Sequence, residues 1–200
     1  LSTVENPPAS ILITSMGSNE GKTTTTINIA RILAQDNTKV LVIDCDLRKP
    51  RMHKMLGLDN SIGLSSYLTG NSGDDIVTSI PGEEIAMITS GPIPPNPSEL
   101  LSSQKMKDLL KGMSSRFDFV LLDSPPVQSV TDSLALSRAV EGTIIVVRYG
   151  KTTFDLLDGG MKKLSSVKAN VLGFVFNGLK HSTGAKSSYY GYSGEYADDS

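Results

Sequence analysis

Apolar residues in this chain gather into short continuous runs separated by segments of helical spacing. The runs are Ile11–Ile13, Val40–Ile43, Ile85–Ile88, Phe119–Leu122, Thr143–Val147 and Val171–Phe176. Most are unbroken rather than alternating, as expected of strands covered on both faces of a parallel sheet. Between them, Thr24–Gln35, Pro97–Met113, Val130–Val140 and Phe154–Val167 space their apolar residues as amphipathic helices do, with Asn96 or Ser98 as caps for the second. This alternation predicts an α/β fold, a mainly parallel central sheet flanked by helices and joined by right-handed crossovers. In such folds ligands sit at the carboxyl ends of the strands.

Two segments break the rhythm. Ser90–Pro97 (SGPIPPNP) holds four prolines and a glycine, which predicts a stiff loop after a strand. His181–Ser200 has almost no aliphatic residues. The chain therefore reads as one domain over residues 1–180 and a flexible tail over 181–200.

The first apolar run leads into MGSNEGKTTTT, an order that reads as strand, phosphate cradle and helix N-terminus. Gly17, Ser18, Asn19, Glu20, Gly21, Lys22, Thr23 and Thr24 are the candidate nucleotide-binding residues. Lys22 is placed to reach the β- and γ-phosphates, and the Thr23 hydroxyl to hold Mg²⁺. The loop departs from the strict G-x-x-x-x-G-K-[ST] spacing, because Met16 stands at the first glycine position and Gly17 follows one residue late.

Acidic residues close two of the other runs. In VLVIDCDLRKP, Asp44 and Asp46 follow a buried strand, and residues two apart on an extended chain point the same way. Two adjacent carboxylates repel unless a cation or a shared proton lies between them, and metal-assisted phosphoryl transfer supplies that cation. In FVLLDSPP, Asp123 reaches the same sheet edge. Arg48, Lys49 and Arg51 read equally as phosphate-stabilising charge or as a solvated face. Asp132 reads first as a helix cap and second as a group supporting the site acids, Cys45 as a small buried hydrophobe, His53 and His181 as surface residues, and Tyr67 and Tyr149 as packing residues.

Composition narrows the field. Net charge is -2 over 200 residues, so nothing pulls the chain toward nucleic acid or anionic lipid. The single cysteine excludes an internal disulfide and fits a reducing compartment. No apolar run approaches the ~20 residues that span a bilayer, and Leu1–Ser10 lacks a signal layout. These features predict a cytoplasmic protein without direct membrane insertion. Four of the six tyrosines, Tyr189, Tyr190, Tyr192 and Tyr196, fall in the Gly/Ser-rich tail, where no core needs them.

The spacing of GSNEGKTTTT, VLVIDCDLRKP and FVLLDSPP resembles that of the bacterial tyrosine kinases of capsule and exopolysaccharide synthesis. The loop TSGPIPPNPSELL (Thr89–Leu101) is similar to a segment typical of them. The resemblance runs from about Ile11 to the C-terminus and is nearest to the cytoplasmic catalytic chains activated by a separate membrane protein. It implies a deviant P-loop fold, Mg²⁺-ATP as phosphate donor, and autophosphorylation of the tail tyrosines. It implies as partners a membrane activator that regulates chain length, other copies of the chain, and a tyrosine phosphatase. Lys22, Thr23, Asp44, Asp46 and Asp123 match the family's site, and Asn177 matches an asparagine that contacts adenine in related proteins. Gly178 follows Asn177 where lysine is common. The family's E-x-x-R-x-x-R helix ahead of the first strand has no counterpart in Leu1–Ser10, which leaves ring assembly open; a trimmed chain is one reading of its absence.

A tyrosine hydroxyl with pKa near ~10 needs a proton acceptor during attack. Asp44 is the expected acceptor, with Asp46 and Asp123 around Mg²⁺ mainly through water, although the sequence leaves Asp44 and Asp46 exchangeable. The alternative is a nucleotide switch resembling the MinD/ParA ATPases. Those carry a second lysine five residues before the P-loop lysine, a position held here by Gly17.

Overall fold

The computed structural model describes residues 7–179. Seven strands form one sheet: β1 (Ser10–Ser15), β2 (Val40–Asp44), β3 (Thr78–Ser79), β4 (Ile85–Ile88), β5 (Phe119–Asp123), β6 (Gly142–Arg148) and β7 (Val171–Asn177). Their spatial order is β3-β4-β2-β5-β1-β6-β7, and all neighbours are parallel except β3 against β4. The predicted α/β architecture with a mainly parallel sheet is therefore the observed one.

Side chains alternate between the two faces, as the pleat requires. Leu12, Leu41, Ile43, Val120 and Leu122 join one core cluster, whose helical members come from α3 (Leu64–Thr69), α4 (Pro97–Ser102), α5 (Gln104–Ser114) and α6 (Asp132–Ser137). Ile11, Ile13, Val40, Val42 and Leu121 face the other way, against Ile27 and Ala30 of α1 (Lys22–Leu33) and Met52, which opens α2 (Met52–Leu56). A third cluster places Met16, Ile145 and Val147 under α7 (Phe154–Ser166). Only β7 alternates in exposure, leaving Leu172, Phe174 and Phe176 open on one face of the edge strand.

Four details depart from the sequence reading. The long helix expected over Pro97–Met113 is broken at Ser103, which turns extended and caps α5 by accepting a hydrogen bond from the Met106 amide at 3.2 Å. A serine that caps competes with its own place inside a helix. α2, α3 and β3 were not foreseen; each is six residues or fewer, too short to display a period. Tyr149 is exposed rather than packed, whereas Tyr67 is half-buried against the first core cluster with the Lys105 ammonium 4.5 Å above its ring. His53 is half-buried instead of lying on the surface; His181 lies outside the described residues.

The proline-rich loop is held by its neighbours. Asn60 donates to the Gly91 carbonyl and accepts from the Gly91 amide, both at 2.9 Å, and Ser65 donates to the Pro92 carbonyl at 2.6 Å. Gly63 passes so close that a Cβ there would lie 2.4 Å from both the Gly91 amide nitrogen and the Thr89 carbonyl oxygen. Backbone on both sides cannot yield without losing this loop. Gly63→Ala is therefore expected to cost about 1–3 kcal/mol of stability, read from urea unfolding. A change below about 0.5 kcal/mol would show that the loop is not fixed this way.

Candidate active site

The strand order sets the site. β5 lies between β2 and β1, so the acid at its end and those after β2 open on the same edge as the loop after β1. Asp44 and Asp123 are register partners across the β2–β5 pair, and Ile13 is the partner of Asp123 on β1. A cleft of about 520 Å³ lies at this edge, lined by the phosphate-loop residues Ser18, Asn19, Gly21, Lys22, Thr23 and Thr24 and by Asp44, Asp46 and Asp123. These predicted residues therefore share one cavity.

Three of the predicted residues do not line it: Gly17, Glu20 and Asn177. Glu20 is 1% exposed and turned inward, where its carboxylate accepts from the Gly17 amide at 2.9 Å and from the Thr152 hydroxyl. Asn177 braces the loop from behind. Its side-chain amide donates to the Glu20 carbonyl at 3.0 Å, and its oxygen accepts from the Gly178 amide at 2.7 Å.

Two further grips come from residues that the sequence reading did not place at the site. Lys151 donates to the Ser18 carbonyl at 2.5 Å and Arg148 to the Asn19 carbonyl at 2.8 Å. In a planar trans peptide the carbonyl and the following N–H point in opposite directions. The amides of Asn19, Glu20 and Gly21 thus face away from these three side chains, and none has a protein acceptor among the described residues. At the start of α1 the first amides are unpaired by construction. The loop and helix start together form a nest of free donors suited to an anion.

Gly21 is held where only glycine fits: φ is +97°, and a Cβ would lie 1.9 Å from the Asn177 side-chain nitrogen. The irregular loop spacing also has a packing account. Met16, at the position usually glycine, is fully buried, and Gly160 on α7 leaves it room; a Cβ at Gly160 would lie 1.9 Å from the Met16 sulfur.

Among the acids, Asp123 accepts from the Thr23 hydroxyl at 2.6 Å, and its other oxygen is buried without a partner. One Asp44 oxygen accepts from the Asp46 amide at 3.1 Å, and the second is likewise buried and unpaired. Burial, then the neighbouring Asp123 charge, pushes the Asp44 carboxyl up to about 8. Burial raises Asp123 to about 6, opposed by Lys22 and by the Thr23 hydrogen bond. Asp46 is more open and lies 3.8 Å from the Lys22 ammonium. Cys45 is buried between them as expected, its thiol pushed up by burial and by these carboxylates.

The basic run after Asp46 divides. Arg48 reaches Asp132 with a two-point contact at 2.8 and 3.1 Å, and also Ser98 at 2.9 Å, while Lys49 and Arg51 line the cleft. Asp132 is fully buried and answers to Arg48 and Ser98, so it does not serve as the simple helix cap first expected. The 84 residues separating this pair hid it from sequence reasoning.

A family model described as the CobQ/CobB/MinD/ParA nucleotide binding domain matches residues 11–189. The tyrosine-protein kinase YwqD of Bacillus subtilis is 39% identical over 189 residues, covering 94% of this chain and 80% of its own length. The tyrosine-protein kinase Wzc of Salmonella typhi is 36% identical over 195 residues, of which this chain spans 27% of the whole. The solved kinase domain of the Escherichia coli tyrosine kinase Etk superposes with a TM-score of 0.86 at 32% identity, covering 94% of this chain and 74% of that one.

Two outcomes follow from the acids. The nucleotide-free fold binds protons at Asp44 and Asp123 that the unfolded chain, with carboxyls near 4, has released. Stability is therefore greatest below about pH 4 for this pair and is lost as pH rises toward about 8. Urea unfolding across that range should show this fall, and Asp44→Asn should flatten it; identical slopes would refute the coupling. Arg48→Ala should cost about 1–3 kcal/mol by leaving the Asp132 carboxylate buried and unpaired. Adding Asp132→Asn should restore part of that loss, and strict additivity of the two costs would count against the pair.

Proposed function

From the premise that the chain belongs to the bacterial tyrosine-protein kinases of the CobQ/CobB/MinD/ParA nucleotide-binding fold, we propose that it transfers the γ-phosphoryl group of Mg²⁺-ATP to tyrosine hydroxyls. The acceptors are Tyr189, Tyr190, Tyr192 and Tyr196 of a second copy, so residues 1–180 form the kinase domain and 181–200 its substrate tail. The tyrosines lie outside the described residues, and their role rests on sequence.

The observation that carries this reading is the cleft that gathers a nest of free amides, Lys22, Thr23 and three aspartates. The free amides and the Lys22 ammonium bind the phosphates and offset charge on the transferring group. In the transfer the tyrosine oxygen forms a bond to the γ-phosphorus as the bond to the β-phosphate oxygen breaks. The phenol proton passes to a carboxylate. Asp44, in its ionised form, is the proposed acceptor, because it lines the cleft with no lysine or arginine within ion-pair distance among the described residues, whereas Asp46 faces Lys22.

The residues fit a divalent cation. A buried Asp123 oxygen has no partner, and the Thr23 hydroxyl adjoins the same carboxylate. No three His, Cys, Asp or Glu side chains among the described residues suffice to hold a metal ion by themselves. Thr23 would hold Mg²⁺ directly, and Asp46 and Asp123 through water, with the phosphates completing the shell. When bound, the ion would neutralise charge on the β- and γ-phosphates. Asn177 is the proposed adenine-side residue, and it also fixes the loop through the Glu20 carbonyl.

The relatives' names and the tyrosine-rich tail favour a tyrosine acceptor over water. No described helix is long and apolar enough to cross a membrane. A membrane activator of the polysaccharide machinery, which would bring the chain to the cytoplasmic face of the membrane, and a counteracting tyrosine phosphatase are the proposed partners. The second reading, a MinD/ParA-like ATPase switch, draws on the shared family model, but Gly17 supplies no bridging lysine.

Incubation with Mg²⁺-ATP, with and without an activator segment, followed by mass mapping, should yield phosphotyrosine in residues 189–196. Lys22→Met should reduce it at least about a hundredfold with the circular dichroism unchanged, and EDTA should abolish it. Unchanged phosphotyrosine in that variant would overturn the assignment, and ATP hydrolysis without phosphotyrosine would establish the switch.

A further inference from the structure

Beyond the phosphate loop the cleft continues along a wall of different character. Met55, Pro126 and Val130 give it apolar surface, and Lys49 and Arg51 stand beside them. Met55 is 54% exposed although large and apolar. Apolar surface in the same cleft as the acids suits the face of an aromatic ring.

The cations at this edge are not equivalent. Lys22 faces Asp46 at 3.8 Å, and Arg48 is engaged by Asp132. Lys49 and Arg51 are exposed and have no carboxylate within ion-pair distance among the described residues. The Lys49 amide donates to an Asp46 oxygen at 3.1 Å, so its side chain springs from the edge of the acidic group itself. Two cations free of carboxylates among the described residues, in a cleft that also offers apolar surface, fit a tyrosine whose neighbours along the chain are acidic.

The four tail tyrosines differ in this respect. Tyr189 and Tyr190 have no carboxylate within four residues, and Tyr192 has only Glu195, three residues on. Tyr196 follows Glu195 directly and precedes Asp198 and Asp199. On an extended chain at roughly 3.3 Å per residue those carboxylates lie within about 10 Å of the ring position. We infer that Lys49 and Arg51 form a docking subsite for carboxylates beside the acceptor tyrosine, so that Tyr196, with three carboxylates within three residues where Tyr192 has one, is the favoured acceptor. The inference rests on the kinase reading for the transfer step, while the docking itself does not depend on it.

The test uses the full chain with Mg²⁺-ADP and two labelled peptides. One copies residues 193–200; the other carries Glu195→Gln, Asp198→Asn and Asp199→Asn. Fluorescence anisotropy should show the acidic peptide binding about five- to tenfold tighter at low salt. The advantage should shrink toward unity at about 0.5 M NaCl, because both cations are exposed. Lys49→Ala/Arg51→Ala should bring the ratio within about twofold, and Lys49→Glu/Arg51→Glu should invert it toward a peptide with lysines at the three positions. Equal binding by the unaltered protein, or a ratio that survives the double alanine variant, would overturn the subsite. A raised KM for ATP with both peptides slowed equally would also overturn it, assigning the pair to the nucleotide phosphates. Tighter binding of the acidic peptide with phosphorylation of neither would sustain the subsite and overturn the kinase reading.

Discussion

Parallel pairing of β2 with β5 sets Asp44 in register with Asp123, and both carboxyls are closed off from water. Strands about 4.8 Å apart bring these groups close together where solvent cannot screen them. Each keeps one oxygen without a hydrogen bond. A site of this kind has three resolutions: hold protons, receive a cation, or lose the fold's register. Burial and the neighbouring charge push Asp44 up to about 8 and favour the first there, while the Thr23 hydroxyl beside Asp123 prepares the second. Register cannot slip, because β2 and β5 carry core side chains on both faces and one residue of slip would exchange the faces. The hydrophobic sheet thus forces together charges that by themselves would separate.

The phosphate loop depends on the same economy of backbone groups. Its carbonyls are claimed from outside by Lys151, Arg148 and Asn177, and peptide planarity then fixes the direction of the amides that follow. Glu20 secures the loop's interior from the Gly17 amide to Thr152. Cations on the outer side add positive potential to a loop that already presents N–H groups, so bracing and anion affinity are one arrangement. This also explains why the displaced glycine is harmless. Loop shape is imposed by five side chains and by Gly160, which admits Met16, rather than by glycine spacing alone.

Much of this was legible in the sequence because it is local. Continuous apolar runs located the six parallel strands, and each of Lys22, Thr23, Asp44, Asp46 and Asp123 lies within three residues of a strand end or helix start that a short window reveals. The elements that escaped are those whose stability is tertiary: α2, α3 and β3 are too short to carry a period, and Ser103 breaks a helix whose apolar spacing continues across the break. Glu20 looked like a ligand-facing member of its motif, and only the fold reveals that Thr152 and the Gly17 amide turn it inward. Asp132 looked like a cap because its partner Arg48 is 84 residues away.

The run Arg48-Lys49-Pro50-Arg51 shows why adjacent like charges need not share a task. Arg48 carries the planar fork that matches a carboxylate at two points, and it meets a buried one; a lysine there would satisfy Asp132 at a single point. That bond fastens the loop after β2 to α6, and through Ser98 to α4. Asp46 and Lys49 belong to that loop, while Val130 belongs to the approach to α6. The wall of the cleft and its acids are therefore parts of one braced unit rather than a lid over a separate base. An acceptor seated on such a wall meets carboxylates whose positions are already fixed, and alignment is supplied by the fold before the acceptor arrives.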